Sequence, residues 1–300
     1  MDESRWIEAP PSWDGDLLHL NLWLNCFLLV MFVVHQGISP WILKVAGIDA
    51  PATTKAQLQY LKVQLYVVEI VVLTLVNVLS FALPLWDVVL HPDKYVLLQL
   101  SAGTLRQIQI GFVTVWNALI MMYWLEIFLL GNALRPELKV HHWVLILVGN
   151  LMYLAVVDDY MNLNLYRLIF MSAVNAASEL PTFVALLCYR IAPMWRNGPF
   201  WYSVSALWYG TSRVVIFIGI FILWADYYQS IKNNASSWGY FALTLTMVAN
   251  FVSFVTGLLS LKAQVFLAEK ARARTRFAAD ARANEMHTRP TDAGVVTTKV

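Results

Sequence analysis

The chain has 300 residues, of which 59% are hydrophobic and only 13% charged, and its net charge is +2; the mean hydropathy is +0.58. Soluble domains carry about 45–50% apolar and about 25% charged residues, so a soluble enzyme, a nucleic-acid module and a disordered protein are excluded. Both cysteines, Cys26 and Cys188, lie inside apolar runs, which excludes a disulfide scaffold. The composition is that of an all-α, polytopic membrane protein.

The chain opens on an acidic segment, 1–19, where Asp2, Glu3, Glu8, Asp14 and Asp16 stand against a single base, Arg5. This segment lacks the basic start and cleavage site of a signal peptide, so the first apolar run is expected to stay in the protein. A helical span needs about 20 mostly apolar residues. Such runs cover 20–42, 60–83, 109–133, 140–158, 164–190, 200–225 and 238–262, seven in all within a membrane domain of 20–262. The stretch Tyr95–Gln107 is short and polar and is expected to lie along the interface. Pro84, His91-Pro92-Asp93, Arg135-Pro136-Glu137, Asp158-Asp159, Gly198-Pro199 and Lys232-Asn233-Asn234 punctuate the runs. The runs are continuous and not alternating, so a β-barrel is excluded.

Beyond the last run, the tail 263–300 carries Lys270, Arg272, Arg274, Arg276 and Arg282. The positive-inside rule puts this tail in the cytosol and the acidic start in the lumen, as in the endoplasmic reticulum. These bases serve as a topology signal or also contact anionic lipid. The polar composition past residue 277 predicts disorder. The sequon at Asn234 falls on the lumenal side and is a candidate glycosylation site.

Charged side chains inside spans are rare, and each is a functional hypothesis. Five places qualify: Glu69, Glu126, the pair His141-His142, Glu179 and Arg213, in the second to sixth runs. At about 1.5 Å rise per residue they all fall within roughly 3 to 20 Å of the cytosolic boundary. That predicts a shared polar cavity opening to the cytosol. Ser172, Asn175 and Glu179 share one helix face, and Pro181 is expected to bend the helix beside them. Tyr66 lies three residues before Glu69, and Tyr123 three before Glu126. Tyr209 is one turn before Arg213, with Trp208 and Ser212 beside it, and His142 shares a face with Tyr153, near Asn150.

Structural roles compete at each position. Arg213 can pair with Glu179 or Glu126 simply to fix helix packing, and Glu69 can be a hydrogen-bonded carboxyl beside Tyr66. One of the histidines can cap or snorkel, and Asp158-Asp159 can end the fourth run in water. Adjacent helical residues point about 100° apart, so the His pair is not expected to hold zinc. There is no Gly-rich phosphate loop, CxxC pair or GxSxG elbow; no metal and no cofactor are expected.

The segments Tyr123-Trp124, Val140-His141-His142-Trp143, Ser178-Glu179-Leu180-Pro181-Thr182-Phe183 and Tyr189-Arg190 resemble the TLC (TRAM–LAG1–CLN8) domain in its smaller members. Those carry an HH pair opening one span and an E-x-x-P-F-like segment in the next, and Arg213 also fits their pattern. The resemblance implies a TLC-like bundle with a core over about 109–262 and a lipid substrate. The ceramide-synthase HD-x-SD-type segment is missing after the His pair, and Thr182 separates Pro181 from Phe183. The size, the layout of spans, the acidic start with Pro10-Pro11 and the scattered buried acids also resemble fungal membrane-bound meroterpenoid cyclases. Those close the prenyl chain in ascofuranone, ascochlorin or macrophorin pathways.

Two mechanisms use these residues. Cyclisation begins by protonating an epoxide or olefin, which needs a carboxylic acid that keeps its proton, and a dry site favours that form. Glu69, Glu126 and Glu179 are the candidate donors, and the donor is expected to be the one Arg213 does not touch. Aromatic faces from Tyr66, Tyr123, Trp124, Tyr153, Trp208 and Tyr209 would stabilise the cation, Asn175 would contact substrate, and His142 would take the last proton. In the acyl-transfer alternative, His142 or His141 is general base, with acyl-CoA held by Arg135, Lys139, Arg190 and Arg196. A non-catalytic lipid-binding protein is the third reading. The expected partners are a prenylated or acylated apolar small molecule and membrane lipid, and not nucleic acid.

Overall fold

The computed structural model describes residues 28–48, 53–82, 85–92, 102–158, 163–192, 197–232 and 237–288. Asn234, Arg196 and the side chain of Tyr153 lie outside the described residues. All regular structure among the described residues is helical. In chain order the helices are α1 (Leu28–Val45), α2 (Thr54–Ala82), α3 (Leu85–Leu90), α4 (Ala102–Leu130), α5 (Pro136–Asp158), α6 (Leu163–Ala177), α7 (Leu180–Ile191), α8 (Gly198–Lys232) and α9 (Ser237–Thr288).

The ends of these helices follow from local chemistry. Pro40 cannot donate to the carbonyl four residues earlier. Just ahead of it α1 widens into a π turn over Val34–Ile38, with the Ser39 N–H reaching Val34 O. Gly47, at φ 72°, ends α1. Its N–H bonds Lys44 O, and the Ile48 N–H bonds Leu43 O at 2.8 Å, the two bonds of a Schellman cap. Gly131, at φ 49°, opens the 3-10 turn that stops α4.

Among the described residues, six helical stretches are long and apolar enough to cross a membrane: Leu28–Val45, Ala56–Ala82, Thr114–Ala133, Asn164–Ile191, Gly198–Lys232 and Gly239–Ala281. α5 covers the expected run 140–158 but is not one of these six, so a count of seven spans is not established. The expected tail is also corrected. α9 does not end near residue 262 but continues through Thr288, because 263–288 is rich in Ala and Arg, strong helix formers whatever their polarity.

The helices close into a ring. α9 lies along α8 and against α5, α5 packs on α4, α4 on α2, α2 on α7, and α7 with α6 returns to α8. α6 also touches α4 and α2. At one end Arg167 of α6 donates to Val89 O at 3.0 and 3.2 Å and pairs with Asp226 of α8 at 3.3 Å, tying three elements together.

Helices α4 and α5 approach closely at Gly149. A Cβ there would lie 2.4 Å from Ile120 Cδ1 and 2.6 Å from Trp116 Nε1. Overpacking of this kind costs about 1–3 kcal/mol, so Gly149→Ala is expected to lower the melting temperature of the detergent-solubilised protein. An unchanged melting temperature would show that the crossing yields without cost.

The fifth apolar run is broken where the sequence predicts a bend. α6 ends at Ala177, Ser178 and Glu179 form a turn, and α7 restarts with Pro181 in its first turn. Proline has no N–H to give, so carbonyls near the break need other donors. Asn77 Nδ2 of α2 reaches Ala177 O at 3.4 Å. From α8, Trp208 Nε1 reaches Ser178 O and Ser205 Oγ reaches Pro181 O, each at 3.2 Å.

Candidate functional site

The ring of helices encloses a cavity of about 480 Å³, within the usual size range of ligand sites. Tyr66 and Glu69 come from α2, Tyr123 and Glu126 from α4, His141 and His142 from α5. Glu179 faces it from the helix break, and Tyr209 from α8. A second, much smaller space of about 20 Å³ shares Tyr123, His141 and Glu179 with it and is lined also by Trp116, Ser172, Asn175 and Asn250.

Three polar arrangements organise this space. In the first, His142 Nε2 and Glu126 Oε2 are 2.5 Å apart and both side chains are buried. The Tyr123 ring stacks on the imidazole at 4.6 Å between centroids and holds its plane. His142 Nδ1 has no hydrogen-bond partner. When Nε2 carries the proton and donates it to the carboxylate, Nδ1 is a bare acceptor on the cavity wall, the arrangement of an oriented general base. If the pair serves a reaction as such a base, His142→Ala is expected to lower its rate by about 10²–10⁴-fold in a membrane assay normalised to expressed protein; an unchanged rate would remove it from that role.

In the second arrangement, Arg213 of α8 donates to Glu179 and to Asn175, while its guanidinium lies 4.7 Å from the centre of the Tyr209 ring. Of the two partners open to it from sequence, Arg213 takes Glu179. Ser172, on the same α6 face, meets Asn250 of α9 at 3.2 Å. The third is Glu69. It is 3% exposed, and its Oε2 has no hydrogen-bond partner; no ion pair reaches it among the described residues.

The remaining sequence candidates separate. His141 turns to α9, where Thr256 Oγ1 lies 3.1 Å from its Nδ1. Trp124 packs outward against Phe128 and Trp143 and lines neither space. Trp208 is 54% exposed, with its indole N–H committed to the helix break. Asn150 donates to its own helix at Ile146 O, at 2.9 Å. Sequence reasoning passed over Thr182 and Gln264, whose buried oxygens have no partner and which line the cavity. Thr182 lies within the quoted motif and could have been found there; Gln264 sits just past the expected end of the last span. Among the described residues no three His, Cys, Asp or Glu side chains gather into a group able to hold a metal ion.

No protein-family model, curated protein or solved structure matches the chain.

Proposed function

We propose that the chain is a membrane-embedded, cofactor-independent cyclase that closes the prenyl chain of a meroterpenoid. The observation that carries this reading is the division of labour among the acids. Glu179 is taken by Arg213 and Glu126 by His142, which leaves Glu69 as the carboxyl free to deliver a proton inside the cavity. The Glu69 O–H protonates an epoxide oxygen, and the C–O bond opens to a tertiary cation. An alkene π pair attacks it to form the ring C–C bond, and His142 Nδ1 removes a proton from the final cation. One proton enters and one leaves, so the product is an isomer of the substrate. The rings of Tyr66, Tyr123 and Tyr209 on the wall suit a transient carbocation. In this reading α5 is a seventh span, the basic ends of the helices face the cytosol, the membrane is the endoplasmic reticulum, and the bundle is TLC-like.

The test is a microsomal assay with a prenylated aromatic epoxide and no added cofactor, followed by mass spectrometry and NMR. A new ring system at unchanged mass supports the cyclase. No conversion of epoxide or olefin substrates overturns it.

One observation favours a second reading. Arg135, Arg190, Lys270 and Arg274 line one end of the same cavity, where the phosphates of an acyl-CoA could rest while the Glu126–His142 pair deprotonates an acceptor. Acyl transfer from a labelled acyl-CoA in the same membranes separates the two.

A further inference from the structure

The cavity differs sharply between its two ends. At one end, where α2 begins, α7 ends and α9 runs out of the apolar zone, its lining includes Lys62, Arg135, Arg190, Lys270 and Arg274. Of these five cations only Arg135 has a carboxylate partner among the described residues, Glu137 at 3.3 Å. One of them, Arg274, lies 5.0 Å from the centre of the Tyr189 ring at the cavity wall. Further in along α9 and α7, Gln264 Oε1 and Thr182 Oγ1 are buried without partners. Their residues are only 4% and 5% exposed, and buried polar groups left unpaired are uncommon and costly.

Beyond Tyr123, His141 and Glu179, which line both, lies the smaller space, where Trp116, Leu119, Ile120 and Ile169 stand beside Ser172, Asn175 and Arg213. From Arg274 to Thr256 the α9 wall of the main cavity spans about 27 Å. Cations grouped at the mouth of a cleft with low-dielectric walls concentrate their field on whatever occupies it. The side chains of the main cavity thus sort by chemistry along one axis: cations at the mouth, four of the five without a carboxylate partner among the described residues, then hydrogen-bonding, aromatic and acidic groups further in.

We propose that this cavity takes a single-chain amphiphile with an anionic head, a phosphate or a carboxylate, the head lying among Arg190, Lys270 and Arg274 and the tail running inward past Glu69 and His142. The inference deepens the cyclase reading by naming the polarity of its substrate. In that reading the acid-sensitive end of the prenyl chain lies innermost and the head stays at the mouth. Guanidinium–phosphate and guanidinium–carboxylate bonds are charge-assisted and about twice as strong as neutral ones, so the head sets the direction in which the chain threads.

The test uses the full chain in nanodiscs of phosphatidylcholine and radiolabelled farnesyl phosphate, with farnesol as the uncharged probe of the same tail. Farnesyl phosphate is expected to bind at least tenfold more tightly than farnesol. The double variant Arg190→Gln/Lys270→Gln is expected to bring that ratio within about threefold while farnesol still binds. Retained farnesol binding shows that the variant is folded. Inorganic phosphate at the same concentration is expected not to displace the label, which separates an amphiphile's head from a free anion. Equal binding of the two probes, a ratio unchanged in the double variant, or displacement by inorganic phosphate as effective as by farnesyl phosphate overturns the proposal. Because this readout is binding, preference for the phosphate without any cyclisation would sink the cyclase and leave the amphiphile site standing. Cyclisation of uncharged substrates with no preference for the charged head would do the reverse.

Discussion

Under the proposed cyclase reading, Glu69→Gln is expected to reduce ring closure at least a thousandfold, toward the upper part of the 10²–10⁴ range for general acid catalysis, while the protein still accumulates in the membrane. The substitution keeps the shape of the side chain and removes the acidic proton. It breaks no ion pair among the described residues, so the melting temperature should stay close to that of the parent protein. Substrate binding should also persist, because an amide fills the same place on the cavity wall. The measurement is product formed per mole of protein in membranes, alongside thermal denaturation of the solubilised variant. Activity retained in Glu69→Gln would take the donor role from this residue and move it to Glu126, the other acid that Arg213 does not hold.

The second large effect concerns stability. In Arg213→Met the Glu179 carboxylate and the Asn175 amide lose their shared partner at a site where the arginine side chain is 9% and the glutamate 24% exposed. Breaking a buried pair by removing one member costs about 3–5 kcal/mol, because the other charge is left uncompensated. For a protein of this size that is a drop in melting temperature on the order of 10 °C. The double variant Arg213→Met/Glu179→Gln should recover most of the loss, since no charge is then stranded. A double-mutant cycle on detergent-solubilised protein reads the coupling directly. A single variant as stable as the parent would mean that the pair does not hold α8 to the break between α6 and α7.

Both predictions use residues that sequence reasoning could place on helices but not assign to partners. The spacing of Tyr66 with Glu69 and of Tyr123 with Glu126 put each pair on one helix face, and all four side chains line the cavity. The choice between Glu179 and Glu126 for Arg213 depended on how α8 sits against the break, which no periodicity within one helix contains. Trp124 and Trp208 failed as cavity residues for a local reason. Each is the immediate neighbour of a tyrosine that faces inward, and one residue along a helix turns the side chain by about 100°. His141 and His142 obey the same geometry, yet both line the cavity because α5 presents an edge to it. One histidine turns to α9 and the other to α4. The bases past residue 262 were legible as charge alone. That Lys270 and Arg274 belong to the cavity follows from α9 remaining helical, and composition does not report that continuity.

The break between α6 and α7 places a lasting demand on two other helices. Hydrocarbon offers no water to stand in for a missing donor, so an unsatisfied carbonyl there costs several kcal/mol. Asn77 and Trp208, which donate to Ala177 O and Ser178 O, therefore answer to Pro181 rather than to their immediate sequence neighbours. Where proline is replaced by a residue with an N–H, the helix can satisfy itself again, and these two positions become free to drift toward apolar side chains. Among related chains, the amide at 77 and the indole at 208 should come and go together with the proline, so that three scattered positions are inherited as a single trait.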